Sequence, residues 1–501
     1  MMYGNVLEYL ENAAKNWPER LAFADEKESM TFAALMDASR RIGSGLTRLV
    51  EVRQPVAVVM TDRSVRCVAA MMGVVYAGCP YAPLDASMPI ERLNLILEQL
   101  QPSAILCDRA TRAHVETANV SCPVREYEEL VQSTIDEDVL GAIRVQDSVW
   151  DILSILFTSG STGVPKGVAQ SQYSYLTYTD ITIEKYTFTQ ETVFGNQSPF
   201  FYANSIIDIF PPLKLGASVY IMPARCLSFP KVLVETLREH HITELTMTPS
   251  SYVKAAASGV LTEGCLPELE YIILSGEAAH WQTLQCWMKA APNGGVWNFY
   301  GSTEMFSVAV WRLDRVYTDG EIIPVGVPFP EVEILMVDED GNPVPRGEKG
   351  LMLVANPWSC SGYYRDAART EAAFVTDPLG RGYHMRYYVT GDVGLFNERN
   401  QLVVLGRQDS QIKRAGYRME LGEVEVALRQ IPGWIDGCVL YDKESGKLCC
   451  FWTGALTQKE LQSALKKQLP RYAVPDAYIH MEELPHTATM KVDRQKLRQM
   501  I

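Results

Sequence analysis

The sequence predicts a layered α/β protein whose long first part is followed by a small α+β part. Three observations carry this: the length, a series of short apolar runs each followed by helical spacing, and a change of texture after Gly391. A chain of 501 residues exceeds what one hydrophobic core of ordinary size supports, so two or more domains are expected. With 47% hydrophobic and 21% charged residues, and 27 prolines and 34 glycines spread along it, the composition is that of a globular chain rather than a disordered one. No repeat with a period of 20 to 50 residues is visible, which disfavours a solenoid or propeller.

The elements follow in order. Residues 1–20 carry Glu8, Glu11, Lys15 and Glu19 among Val6, Leu7 and Leu10, which suits an amphipathic surface helix and breaks any signal-peptide core. Val56 to Met60, Ala104 to Cys107, Ile152 to Phe157, Ser218 to Met222, Leu245 to Thr248 and Tyr271 to Leu274 lack polar alternation. They read as buried parallel strands covered by helices on both faces. After Gly391, Asn397 to Asn400 reads as a hairpin turn, Leu402 to Leu405 as a strand, and Gly406-Arg407-Gln408-Asp409 as a polar joint. The expected division is therefore 1–407 and 408–501. The second part has strand-like Gly437 to Tyr441 and Leu448 to Thr453, with helical Gly422 to Gln430 and Gln458 to Leu469.

Composition also excludes. A formal charge of −14 is the wrong sign for affinity built on phosphate neutralisation, so nucleic acid is not an expected partner. The eleven cysteines include the adjacent pair Cys449 and Cys450 but no C-x-x-C; buried free thiols are expected rather than a zinc or redox site. No stretch approaches the roughly 18 uninterrupted apolar residues of a membrane span. A cytoplasmic protein without a membrane partner is expected.

The sharpest chemical signal is the run Leu156-Phe157-Thr158-Ser159-Gly160-Ser161-Thr162-Gly163-Val164-Pro165-Lys166-Gly167, directly after a predicted buried strand. Its glycines let the backbone turn tightly and aim N–H groups outward, and its hydroxyls and one ammonium add donors suited to a polyphosphate. It departs from the Walker pattern, since Pro165 stands five residues after Gly160 where Gly-Lys would be needed. An anion cradle is predicted, but not a P-loop fold.

This run resembles the phosphate-binding signature of the adenylate-forming superfamily, and further strings continue the resemblance in the family's order. They are Ala77-Gly78-Cys79-Pro80-Tyr81-Ala82-Pro83-Leu84-Asp85 with Pro89-Ile90-Glu91-Arg92, Asn298-Phe299-Tyr300-Gly301-Ser302-Thr303-Glu304, Tyr388-Val389-Thr390-Gly391-Asp392, Gly406 to Lys413 continuing to Gly416-Tyr417-Arg418-Met419-Glu420, and Leu484-Pro485 through Met490-Lys491-Val492-Asp493-Arg494. The string from Ala77 to Asp85 with Pro89 to Arg92 is closer to amino-acid-type adenylation enzymes than to typical CoA ligases. The resemblance implies an acyl-adenylate synthetase fold, with a large multi-layer α/β N-terminal domain and a small mobile α+β C-terminal domain. It also implies ATP and Mg²⁺ as requirements.

The family's roles carry over residue by residue. Thr158, Ser159, Gly160, Ser161, Thr162, Gly163 and Lys166 would hold the phosphates. Asn298, Phe299, Tyr300, Gly301, Ser302 and Thr303 would meet the adenine side. Asp392 is acceptor-only when ionised and so can take both ribose hydroxyls, with Arg407 beside it. Glu304 is a hard oxygen ligand for Mg²⁺, and Thr303 and Glu304 are grouped with Lys491 as catalytic. The Lys491 ammonium would stabilise charge where it develops on the transferring phosphoryl oxygens. Met490 stands before it where the family usually has glycine. Asp409 would be the hinge, and Lys413, Arg414 and Gly416 would border a thiol channel.

An acid pocket is implied at Tyr202, Ala203, Asn204, Ile207, Thr246, Ile273, Ser275, Gly276, Phe299, Ser307 and Val308. Similar enzymes for α-amino acids usually carry Asp where Ala203 stands, paired with the substrate ammonium. Leaving a buried cation unpaired costs about 3–5 kcal/mol, or roughly two to three and a half decades of affinity. An acid that either lacks a free α-ammonium or presents it elsewhere, as an aryl, aliphatic, N-acylated or β-amino acid does, is therefore expected. Glu277 could offer a replacement carboxylate but is read as structural. Ten residues after Lys491, with no Gly-x-Asp-Ser-Leu-type segment, leave no room for a carrier domain; a separate carrier protein bearing phosphopantetheine is the expected acceptor. The rival acceptor is CoA, and a rival of another class is a catalytically silent nucleotide-binding scaffold.

Overall fold

Runs of β-branched residues without a polar face need cover on both sides, and the chain supplies it for two sheets. In a nine-stranded sheet, Leu21–Ala24, Ser218–Ile221, Val193–Asn196, Glu244–Met247, Tyr271–Ser275 and Gly295–Ser302 run parallel as successive neighbours. Antiparallel strands close its edges, with Phe306–Arg312 and Val327–Pro328 on one side and Ser29–Thr31 on the other. A seven-stranded sheet has Val124–Glu126, Ala104–Cys107, Val56–Val59, Tyr81–Pro83 and Ile152–Thr158 in parallel, then Lys166–Ser171 and Gly362–Tyr363 antiparallel. This is a computed structural model, and it describes residues 3–61, 63–159, 164–277, 281–318, 321–382, 384–407, 411–414, 416–485 and 492–501.

The expected strands stand within a residue or two of their positions. One shift is informative: the strand expected from Leu245 starts at Glu244, whose side chain is fully buried. The expected N-terminal helix forms at Leu7–Asn16 and buries Leu7, Tyr9, Leu10, Ala13 and Ala14. A third, antiparallel sheet is built from Glu333–Val337, Gly350–Ala355, Arg386–Phe396, Phe374–Thr376 and Leu402–Arg407. The last of these runs on through Gly406 and Arg407, so both belong to the sheet; Gln408 and Asp409 lie outside the described residues. The Asn397 side chain makes the turn before it, accepting from the N–H groups of Arg399 and Gln401.

From residue 411 the chain builds its own core. The hairpin Gln411–Arg414 and Tyr417–Glu420 leads into the helix Leu421–Arg429. Asp436–Asp442, Lys447–Thr453 and Ala477–His480 form a three-stranded sheet. Val424, Leu428, Val439, Cys450, Leu461 and Leu465 pack together between these elements, and Thr457 with Glu460 forms a capping box that starts the helix Gln458–Gln468. All eleven cysteines are free, and eight are buried. Among the described residues, no helix is long and apolar enough to cross a membrane.

Candidate active site

Strand ends from the three large sheets converge on one cavity of about 200 Å³. Ile152–Thr158 delivers Thr158 and Ser159; Gly295–Ser302 delivers Phe299 and Ser302; Arg386–Phe396 and Leu402–Arg407 deliver Asp392 and Arg407, which face each other in register. Between Gly295–Ser302 and Phe306–Arg312 the chain doubles back so closely that a Cβ on Gly301 would lie 2.1 Å from the Phe306 carbonyl oxygen. Only glycine allows that approach. The reversal brings Thr303 to the cavity wall, while Glu304 is buried and does not line the cavity; Gln170 fixes the turn by donating to the Thr303 carbonyl at 2.7 Å.

Glu304 is fully buried, and both of its oxygens are occupied. Oε1 accepts from Tyr363 Oη at 2.9 Å and lies 3.2 Å from Lys166 Nζ, while Oε2 accepts from Arg418 Nη1 at 2.5 Å. Burial alone would raise this carboxyl. The Arg418 guanidinium, followed by the Lys166 ammonium, outweighs it and holds Glu304 well below the usual carboxylate range. Lys166 is pulled down by burial despite Glu304. The Thr158 and Ser302 hydroxyls near this cluster are buried without a partner among the described residues. Buried orphan hydroxyls and a carboxylate stripped of water are the donor and acceptor set that a metal-bound polyphosphate would satisfy, so the residues fit Mg²⁺ and ATP.

Asp392 accepts from Arg407 Nη1 at 2.8 Å and from the Tyr300 hydroxyl. Each carboxylate oxygen has a second lone pair, so capacity for ribose remains. Asn298 is buried and donates to the Pro324 carbonyl at 3.0 Å, behind the cavity wall rather than in it.

At the acid end, Tyr202, Ala203, Asn204, Ile207, Gly276 and Ser307 line the cavity. Thr246, Ile273, Ser275 and Val308 do not. They are buried, and Asn204 Nδ2 donates to Ser275 Oγ at 2.6 Å across the intervening space. Tyr178 and Phe306, which sequence reasoning missed, line the cavity too. Among the described residues, two acidic side chains line it: Asp392, and Asp85, which accepts from the Ser87 N–H at 2.8 Å. Glu277 bridges two backbones, accepting from Ser250 N–H at 3.0 Å and Gly416 N–H at 2.9 Å.

The small part of the chain closes one side. Lys413, Gly416, Tyr417, Arg418 and Tyr472 line the cavity, and Tyr417 stacks on Tyr472 at 4.0 Å while meeting Tyr202 edge-on at 5.1 Å. A Cβ on Gly416, whose φ is +85°, would lie 2.8 Å from Thr248 Cγ2. Burial lowers the Lys413 ammonium, with Asp392 opposing. Arg414 points the other way, donating to the carbonyls of Tyr472 and Val474 and to both oxygens of Asp476. A further buried ion pair, Arg92 with Glu423, joins the two parts. Arg92 and Arg418 stand in the motif strings, yet nothing local marks their partners, which lie 331 and 114 positions away. Gly160, Ser161, Thr162, Gly163, Asp409 and Lys491 lie outside the described residues.

A family model for AMP-binding enzymes matches residues 10–364. The chain belongs to the AMP-binding enzymes. The D-alanine--D-alanyl carrier protein ligase of Bacillus velezensis is 31% identical over 98% of each chain. Among solved structures, the Vibrio cholerae adenylation domain AlmE in complex with glycyl-adenosine-5'-phosphate superposes with a TM-score of 0.85 at 23% identity, covering 100% of this chain and 98% of that one. The o-succinylbenzoate CoA synthetase of Bacillus subtilis does so with a TM-score of 0.83 at 20% identity, covering 99% and 98%. This AMP-binding enzyme is thus an AMP-forming ligase that activates an acid as an acyl-AMP, on a fold with a large N-terminal and a small C-terminal domain.

Proposed function

We propose that the enzyme activates a small carboxylic acid lacking a free α-ammonium and transfers the acyl group to the phosphopantetheine thiol of a separate carrier protein. The observation that carries the substrate half is Ala203 in the cavity wall, a side chain that offers a buried ammonium no carboxylate of its own. The bond between Asn204 and Ser275 supports a small acid, because Thr246, Ile273 and Val308 stay out of reach. The acceptor half is supported by full-length similarity to a ligase whose name specifies a carrier protein.

In the first half-reaction a carboxylate oxygen attacks the α-phosphorus of ATP, and the bond to pyrophosphate breaks. Phe299 faces the cavity to flank the adenine, Asp392 and Arg407 hold the ribose, and Thr158 and Ser302 donate to phosphate oxygens. Glu304 would hold Mg²⁺, which supplies charge neutralisation on the polyphosphate when bound. Lys491 brings its ammonium to the α-phosphoryl oxygens after the small domain turns about Asp409, with the joint at 407–408. In the second half-reaction a thiol attacks the acyl carbon and AMP leaves, along a route bordered by Gly416 and Lys413.

Pyrophosphate exchange over a panel of acids tests the substrate: small aryl, aliphatic, N-acylated or β-amino acids should turn over, and strong turnover with ordinary α-amino acids alone overturns it. Loading of a phosphopantetheinylated carrier against free CoA tests the acceptor. Lys491→Ala should slow exchange about a hundred- to thousand-fold.

A further inference from the structure

The hairpin that carries Arg418 is seated on two carboxylates, Glu304 and Glu277, and on Tyr388 and Ser159. The guanidinium of Arg418 takes Glu304 Oε2 at 2.5 Å and donates to Tyr388 Oη at 3.2 Å. Its carbonyl accepts from Ser159 Oγ at 3.0 Å. Gly416 gives its N–H to Glu277 and packs against Thr248. With Lys166 and Tyr363 on Oε1, Glu304 has no oxygen turned to solvent, since its side chain is fully buried. The cavity left over, about 200 Å³, lies below the roughly 300–1,000 Å³ usual for ligand sites.

We infer that Arg418 and the divalent cation are alternative occupants of Glu304. A hydrated Mg²⁺ on Oε2 would place a double positive charge against the guanidinium, and the two repel in a water-poor site. Docking of the hairpin therefore excludes the metal–nucleotide, and metal–nucleotide binding ejects Arg418. The docked arrangement belongs to the step after pyrophosphate and its metal have left, in which the thiol attacks. Arg418 is a positioning residue for that second half-reaction: it keeps Glu304 neutralised while the small domain stays docked. The same contact is a brake on the first half-reaction, because apparent affinity falls with the fraction of molecules able to bind. This inference rests on the reading of Glu304 as the metal carboxylate.

The test uses the full-length chain, its Arg418→Met and Arg418→Lys variants, and the non-hydrolysable α,β-methylene-ATP. Amide hydrogen exchange over residues 411–414 and 416–420 should be slow in the nucleotide-free wild type. It should rise on adding the analogue with Mg²⁺ but not with the analogue in EDTA. In Arg418→Met these amides should exchange about tenfold faster or more without nucleotide, and the calorimetric Kd for the Mg²⁺ analogue should fall about tenfold. The affinity difference should vanish in EDTA. Transfer to the thiol from preformed acyl-adenylate should slow at least tenfold, with Arg418→Lys recovering part of each effect because it keeps the charge and loses the fork. Wild-type exchange and affinity in Arg418→Met would overturn the inference, and so would an equal affinity gain with and without Mg²⁺. Absence of pyrophosphate exchange with every acid would instead sink the proposed function, and none of the hydrogen-exchange readouts depends on turnover.

Discussion

At the scale of single residues, one side-chain bond stands at the wall of the cavity. Asn204, which lines it, donates from Nδ2 to Oγ of the buried Ser275 at 2.6 Å, and the buried Thr246 and Ile273 do not line it. Asn204→Ala removes the bridge and should admit longer acids. Each added methylene that becomes buried is worth about 0.8 kcal/mol, so kcat/KM for an acid one carbon longer should rise about fourfold relative to the shorter one. Pyrophosphate exchange over a homologous series of aliphatic acids measures this; an unchanged chain-length profile would show that the bridge does not set the depth. The sequence pattern places Asn204 and Ser275 in the pocket, but not the bond between them. Rotamer choice across 71 positions depends on packing that no local pattern encodes.

At the scale of elements, strands were legible because β-branched runs identify themselves, whereas ion pairs between elements were not. Arg414 was expected beside the thiol channel from its place in the hairpin string. In the structure it is taken by Asp476 and two carbonyls that the chain reaches some sixty residues later. Arg92, on the helix Ile90–Leu100, meets Glu423 on Leu421–Arg429 with both side chains almost fully buried. Removing one partner of such a pair typically costs about 3–5 kcal/mol. Because the small domain has its own core, Arg92→Met should weaken docking rather than unfold it. Amide exchange should rise at least tenfold in the hairpin 411–414 and 416–420 and stay slow in Asp436–Asp442 and Lys447–Thr453. Equal loss of protection in both would mean that the pair holds the domain's fold.

A second element-scale effect lies after the helix Glu137–Val145. Burial raises the Asp147 carboxyl from 3.8 to about 6, against the opposing pull of Arg144, while Asn5 Nδ2 donates to it at 2.7 Å. A folded-state pKa above the unfolded one means that the folded chain holds a proton the unfolded chain has released, so stability falls as pH rises from about 4 through 6 and is level above. The shift corresponds to about 3 kcal/mol, which partial solvent screening reduces to about 1–2 kcal/mol. Asp147→Asn keeps an acceptor for Asn5 and cannot ionise. Its thermal midpoint should exceed the wild type's by about 1–2 °C at pH 7 and match it at pH 4. Identical midpoints at both pH values would refute this.

At the scale of the whole molecule, the layered sheets follow from local sequence, while the seating of the small domain depends on contacts between residues 114 to 331 positions apart. Those contacts are spread over the interface: Arg418 on Glu304, Gly416 on Glu277, Arg92 on Glu423. Distant substitutions with no shared partner ordinarily add in free energy. If docking is a single all-or-none state, however, Arg92→Met and Arg418→Met release the same state, and a molecule already released gains nothing from a second release. Suppose each single variant tightens the Mg²⁺ analogue about tenfold by raising the binding-competent fraction. Independent effects would make the double variant about a hundredfold tighter, whereas all-or-none docking holds it near tenfold, at the intrinsic affinity of the open enzyme. Calorimetric titration of wild type, both singles and the double decides between them. A full hundredfold gain would show that the two contacts act separately and that the interface comes apart piece by piece.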